Sequence, residues 1–145
     1  MMTRFMQEAL ALAREAEAAG EIPVGCIIEK DGVIVGRGRN RRETDRTALG
    51  HAEIEAIAEA CRKLGEWRLS GCRLFVTLEP CPMCAGAIIN ARISTVVFGA
   101  WDPRAGACGS VEDGVKRALS LKGQEDLLFI AGSLYLVGEV KEAIK

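Results

Sequence analysis

Arg73-Leu74-Phe75-Val76-Thr77-Leu78-Glu79-Pro80-Cys81-Pro82-Met83-Cys84-Ala85-Gly86-Ala87-Ile88-Ile89 reads as a strand, a cysteine pair and a helix in one run. Residues 73–78 have the β-branched and aromatic content of a strand. Cys81 and Cys84 carry the C-x-x-C spacing that lets two sulfurs face one point. Pro82 is favoured at a first helical position, and residues 83–91 continue as a helix with few polar positions. Such a helix is expected to be covered on both sides. Both sulfurs then sit at a helix N-terminus, where the positive end of the dipole favours thiolate.

About thirty residues upstream stands His51-Ala52-Glu53, which holds the only histidine of the chain. One imidazole and two thiolates suit Zn²⁺, balance its charge and leave a fourth position open. A structural zinc site closes its shell with four protein ligands, and the chain has no second histidine or second C-x-x-C to do so. Glu53 places a carboxylate beside the open position, where a water activated by the metal needs a proton acceptor. A thioredoxin-type C-x-x-C leaves His51-x-Glu53 unexplained. His51 and Glu53 are two apart, so on a regular helix they point ~200° apart. They share a site only if they sit in a helix's first turn, and the apolar stripe that begins at Ile54 puts them there.

Outward from these motifs the elements alternate. Residues 3–19 form a helix on the stripe Phe5, Met6, Ala9, Leu10, Leu12, Ala13 and Ala16. Residues 24–29 and 33–39 flank Lys30-Asp31-Gly32 as a hairpin. Residues 40–50 are a polar loop. Ile54, Ile57, Ala58, Cys61 and Leu64 mark an amphipathic helix that ends before Gly65. Residues 95–99 are a strand, Ser110-x-x-Asp113 caps a short helix, and residues 126–131 and 134–144 read as a last strand and helix. The order α-β-β-α-β-α-β-(α)-β-α predicts a three-layer α/β/α domain with a mixed five-stranded sheet.

The pairing of H-x-E with P-C-x-x-C matches the zinc deaminase signature. With its flanks at 75–87, Ile22-Pro23-Val24-Gly25, Asn40, and Val97-Phe98-Gly99-Ala100 with Asp102, the chain resembles bacterial tRNA-specific adenosine deaminases over residues 4–110. The resemblance implies the cytidine-deaminase-like fold, one Zn²⁺ per chain held by His51, Cys81 and Cys84, and Glu53 as the catalytic proton carrier. It implies substrate contacts at Asn40, Ala52, Pro23 and Asp102, a tRNA anticodon stem-loop as partner, and a homodimer. Trp101 departs from the arginine or phenylalanine expected there, and its ring offers a face on which a base can stack, which makes it a further candidate contact. The activity implied is hydrolysis of wobble adenosine to inosine. After residue 110 the pattern departs: Gly132-Ser133-Leu134-Tyr135-Leu136-Val137-Gly138-Glu139-Val140 resembles the end of a folylpolyglutamate synthase. A deaminase of free bases or nucleosides on the same fold is the alternative reading, and a zinc-stabilised interaction module without catalysis is a third. Glu53 speaks against the last, since a structural site has no need of it.

At 145 residues the chain is expected to be a single domain, 1–145. Its net charge of −1 gives no global basic field for nucleic acid. No apolar run reaches membrane-spanning length and no signal-peptide pattern opens the chain, so a cytoplasmic location is expected. Cys26, Cys61 and Cys72 lie in apolar segments and are expected to behave as small hydrophobes, with Cys108 in a Gly-rich loop as the exposed one. Arg37, Arg39, Arg41, Arg42 and Arg46 form either a solvated loop or a rim that contacts phosphates. Asn40 and Asp102 each read equally as turn residues, Asp102 ahead of Pro103.

Overall fold

The computed structural model describes residues 2–108. Within them run α1 Met2–Ala18, β1 Gly25–Lys30, β2 Val33–Arg39, α2 Ala52–Leu64, β3 Arg73–Leu78, α3 Pro82–Asn90 and β4 Thr95–Ala100. The expected strand at 126–131, the helix at 134–144 and the cap at Ser110 lie outside the described residues. Among the described residues the mixed sheet therefore has four strands, in the order β2-β1-β3-β4.

Asp31-Gly32 supplies the two left-handed residues, φ 52° and 81°, that a tight β1–β2 hairpin requires. β1 is antiparallel to both β2 and β3, and β4 runs parallel to β3 after the crossover through α3. Side chains leave the strands alternately to two faces, and both faces are covered. Ile27, Ile34 and Phe75 pack with Phe5 of α1 on one face. Cys26, Ile28, Val35, Leu74 and Val76 pack with Ala52, Ala56 and Ala60 of α2 and Ile88 of α3 on the other. Three layers result, and strands buried on both faces read as near-continuous apolar runs. Full burial of a side chain such as Phe5 or Ile27 contributes about 1.5–3 kcal/mol.

Two helices are seated differently from expectation. The deepest face of α2 is not the Ile54–Leu64 stripe but Ala52, Glu53, Ala56 and Ala60. The cause lies beneath it in β2. A Cβ on Gly36 would stand 2.3 Å from the Ala56 carbonyl oxygen, and one on Gly38 would stand 2.0 Å from that of Ala52. Helix backbone lies almost directly on strand backbone, so only small residues fit between, while Ile57, Cys61 and Leu64 pack at the border of the core. α3 buries only Cys84 and Ile88, and Ile89 is exposed, so cover on both sides is not what the described residues provide.

Candidate metal centre and active site

His51 is the N-cap of α2 and Cys81 is the N-cap of α3, so two helices begin at one point. An N-cap residue ordinarily spends its side chain on the free N–H groups of its own helix. Neither does so here. Both have extended backbone, φ −89° and ψ 147° at His51 and φ −72° and ψ 171° at Cys81. His51 therefore stands outside the helical turn that carries Glu53, which is how two residues of unlike helical direction reach one site.

His51 Nδ1 is 3.7 Å from Cys81 Sγ and 3.5 Å from Cys84 Sγ. Bonds of about 2.0–2.1 Å to nitrogen and 2.3 Å to sulfur at tetrahedral angles separate the two ligand atoms by about 3.6 Å. All three ligand atoms lie within 4.8 Å of one another. The group is positioned for a metal ion, and both its spacing and its soft-donor chemistry fit Zn²⁺. A hydrogen bond couples the two sulfurs and moves their proton affinities apart. The Cys81 thiol is lowered to about 5, first by its hydrogen bond with Cys84, and Cys84 is raised, first by that same bond. A cation that displaces the proton takes both sulfurs as thiolates.

Glu53 is 4% exposed, and burial raises its carboxyl above the ordinary value. It faces a pocket of about 200 Å³ lined by His51, Ala52, Cys81, Asn40, Asp102 and Glu79, among others. This is smaller than the roughly 300–1,000 Å³ of a drug-sized site and suits one ring system rather than an extended ligand. Asn40 is buried and its Oδ1 accepts the Arg42 N–H at 3.1 Å, which leaves its amide N–H groups for a ligand. Asp102 is both turn residue and pocket wall. Its Oδ1 accepts the N–H groups of Arg104 at 3.0 Å and Ala105 at 3.3 Å, leaving Oδ2. Pro23 is not among the lining residues, although its neighbours Ile22 and Val24 are. Trp101 is 63% exposed and packs edge-on against Phe98 at 4.8 Å instead of lining the pocket.

The arginine cluster divides between members tied into the fold and members at the pocket rim, where Arg42 stands 4.0 Å from the Glu43 carboxylate. Arg41 pairs with Asp45 at 3.2 Å and with Glu55 at 3.7 Å, and Arg39 donates to the Glu15 carbonyl at 3.1 Å. Arg42 reaches the pocket wall and, with Arg46 and Thr47, borders a shallow hollow of about 540 Å³ beside it. The loop that carries both is held by Glu21, whose carboxylate accepts from the N–H of Thr44 at 2.6 Å and of Glu43 at 3.2 Å. Neither Glu21 nor Glu79 is apparent from the motifs. The available signal was a carboxylate beside an apolar stretch with no cation near it in sequence.

All six cysteines are free. Cys26 and Cys72 are buried, and Cys108 is exposed at the residue level while partial burial of its thiol raises it to about 11. Cys108 is no part of the ligand group. Cys108→Ser is therefore expected to leave zinc content unchanged and kcat/KM within about twofold, the scale of a neutral surface change. Loss of metal in this variant, read by elemental analysis, would place the ligand set elsewhere.

The family described as cytidine and deoxycytidylate deaminase zinc-binding region matches residues 1–100. The tRNA-specific adenosine deaminase of Bacillus subtilis (strain 168) is 50% identical over 107 residues, covering 74% of this chain and 66% of that protein. The chain thus spans about two thirds of that relative's length. A solved structure from work on A-to-I editing by tRNA:A34 deaminases is 46% identical with TM-score 0.73, covering 74% of this chain and 83% of that one. The structure of guanine deaminase from Bacillus subtilis is 30% identical with TM-score 0.69, covering 98% of this chain and 92% of that one.

Proposed function

Because the chain belongs to the cytidine and deoxycytidylate deaminase zinc-binding family, we propose that it hydrolyses adenosine to inosine at the wobble position of tRNA. The observation that carries the chemistry is the buried Glu53 carboxylate in the same pocket as the His51–Cys81–Cys84 group. The substrate rests on the relative named tRNA-specific adenosine deaminase at 50% identity.

In this reading His51, Cys81 and Cys84 hold one Zn²⁺ and leave its fourth position to the pocket. Bound there, the ion supplies Lewis acidity that makes deprotonation of water feasible near neutral pH. Glu53 accepts the proton released by water, hands it to the ring nitrogen of the adenine, and then serves the departing amine. Water's oxygen ends on C6 and ammonia leaves, so adenosine and water balance inosine and ammonia. Burial suits Glu53 to this shuttling, because a carboxyl raised above its ordinary value takes a proton more readily. Asn40 donates to the base from the pocket wall. A target base reaches this pocket only when it is turned out of its stack.

With a net charge of −1, RNA must be drawn by local charge, and Arg42 and Arg46 beside the pocket are placed for phosphates. A homodimer belongs to the same reading. α3 is made almost wholly of apolar residues yet buries only Cys84 and Ile88, a surface suited to a second copy. Sedimentation at micromolar chain concentration should give twice the chain mass. Among the described residues no helix is long and apolar enough to cross a membrane.

Inosine formation in an anticodon stem-loop, assayed beside free guanine, cytosine and adenosine, tests the substrate. The likeness to guanine deaminase makes free guanine the sharpest competitor. Turnover of the free base with no stem-loop reaction would replace the tRNA reading.

Asp102 offers a finer test. Its Oδ1 is occupied by the turn, so Asp102→Asn can keep the turn and alter only the other pole, from acceptor to donor. A ribose 2′-hydroxyl beside the target base donates to that pole, and DNA has no such donor. A hydrogen bond to a charged group contributes about 1.5–3 kcal/mol, so RNA is preferred by roughly tenfold to a hundredfold through this contact. Asp102→Asn is expected to narrow that preference, chiefly by raising kcat/KM on matched DNA hairpins. An RNA-to-DNA ratio unchanged by the substitution removes Asp102 from substrate recognition.

A further inference from the structure

Glu79 has no part in the chemistry above, yet it is 3% exposed, lines the pocket and precedes Cys81 by two residues. Its carboxylate spans the two ends of the segment that follows β4. Oε2 accepts the Asp102 N–H at 3.0 Å and Oε1 accepts the Cys108 N–H at 3.0 Å. The main chain is tied at the same place. Glu79 N–H donates to the Ala100 carbonyl at 2.8 Å, and Ala107 N–H donates to that of Pro80 at 2.8 Å. Within the segment Gly106 N–H bonds the Asp102 carbonyl at 2.8 Å, closing a turn. Gly106 lies against the carboxylate so closely that a Cβ there would stand 2.0 Å from Oε2. The segment is folded around the Glu79 side chain, and it carries Asp102 and Ala105 of the pocket wall.

From these contacts we propose that Glu79 is a positioning residue. It fixes residues 102–108 as one wall of the pocket and so governs how a nucleotide substrate is bound, through the backbone of Asp102 and without contact with the reacting atoms. This rests on the reading of the pocket as a nucleotide-deaminating site. The chemistry of the donors dictates the residue type. Two backbone N–H groups facing one side chain need an acceptor on each arm, which a carboxylate offers and an amide does not. In Glu79→Gln one arm becomes NH₂, which meets an N–H whichever way the amide is turned. One donor then loses its partner, and the wall loosens. Glu79→Asp keeps the charge but draws the carboxylate back by one methylene, out of reach of both ends at once.

The test uses the full chain with zinc bound, as wild type, Glu79→Gln and Glu79→Asp. Three quantities are read: zinc per chain, hydrogen exchange of peptides covering 102–108 and 52–64, and kcat and KM on stem-loop RNA. Both variants are expected to keep zinc at the wild-type level and to leave exchange in α2 unchanged. Exchange across 102–108 should accelerate by about tenfold or more, the loss of one hydrogen bond to a charged acceptor. KM should rise by a comparable factor while kcat moves by less than about threefold, the split expected for lost binding rather than lost transition-state contact. Wild-type exchange across 102–108 in Glu79→Gln overturns the proposal. So does loss of zinc or faster exchange in α2 as well, which would make Glu79 a residue of general stability. Full rescue by Glu79→Asp overturns it too, since charge and not reach would then be what matters. Should wild type fail to deaminate the stem-loop, the substrate reading falls, while hydrogen exchange still decides whether Glu79 holds the wall.

Discussion

Glu53→Gln is expected to lower kcat on an anticodon stem-loop by about 10²- to 10⁴-fold, the range a positioned proton carrier contributes. Zinc should stay at one ion per chain, because Glu53 is outside the ligand group. The glutamine variant is preferable to alanine, since Glu53 is 4% exposed in the packed first turn of α2 and truncation would open a cavity. Glutamine fills the same space and cannot carry a proton between water, ring nitrogen and amine. Single-turnover kinetics with saturating RNA separate this from a binding defect. A variant that keeps a tenth or more of wild-type turnover, with zinc intact, would move the proton-transfer role away from Glu53.

Removing a ligand should have an effect of similar size by another route. His51→Ala, Cys81→Ala and Cys84→Ala are each expected to drop zinc from one per chain to near none and to abolish turnover. Two remaining donors cannot hold the ion against water, and the vacated place adds no charge to offset it. The metal-bound chain should also be the more stable one, since a ligand that binds only the folded state adds stability by mass action. A chelator is therefore expected to lower the Tm of wild type and to leave the three variants unmoved. Zinc affinity of wild type should fall as pH drops, because protons compete with the metal for the two sulfurs. Stoichiometric zinc in any one of the three variants, by elemental analysis after gel filtration, would sink that residue's assignment.

The His-Cys-Cys group and the elements up to residue 100 were legible because they depend on spacing along the chain. C-x-x-C followed by a helix start, and a histidine before an apolar stripe, are local signals, and β3 in particular falls where its residues predict. What escaped depends on approach across the fold. The buried face of α2 could not be read from its own apolar stripe, because the two glycines that select Ala52, Ala56 and Ala60 lie in β2. The packing of α3 differs for the converse reason: an apolar composition says that a face wants cover, not that the described residues provide it. Asp102 looked like a choice between turn and substrate contact, and its two carboxylate oxygens allow both. Pro23 and Trp101 belong to the same motifs as pocket residues and stand outside the pocket lining. Glu79 stood inside the stretch that decided the fold and went unread, because its partners at 102 and 108 are more than twenty residues downstream.

The seat of α2 on β2 divides the molecule into parts of unequal freedom to change. At Gly36 and Gly38 the distance between helix and sheet is set by backbone against backbone, with no side chain to absorb an added atom. A side chain at Gly38 would press on the first turn of α2, which carries Glu53, and one at Gly36 on the next turn, although neither glycine lines the pocket. Other parts of the pocket wall come from loops 40–50 and 102–108, which a buried carboxylate, Glu21 or Glu79, ties to the body of the fold. A library that varies those loops explores new substrates while the reaction centre stays in register. A library that varies positions 36 and 38 is expected to yield inactive chains, although neither position lines the pocket. Diversification of this scaffold is thus channelled into its rims, and the glycine seam is the chassis it cannot alter.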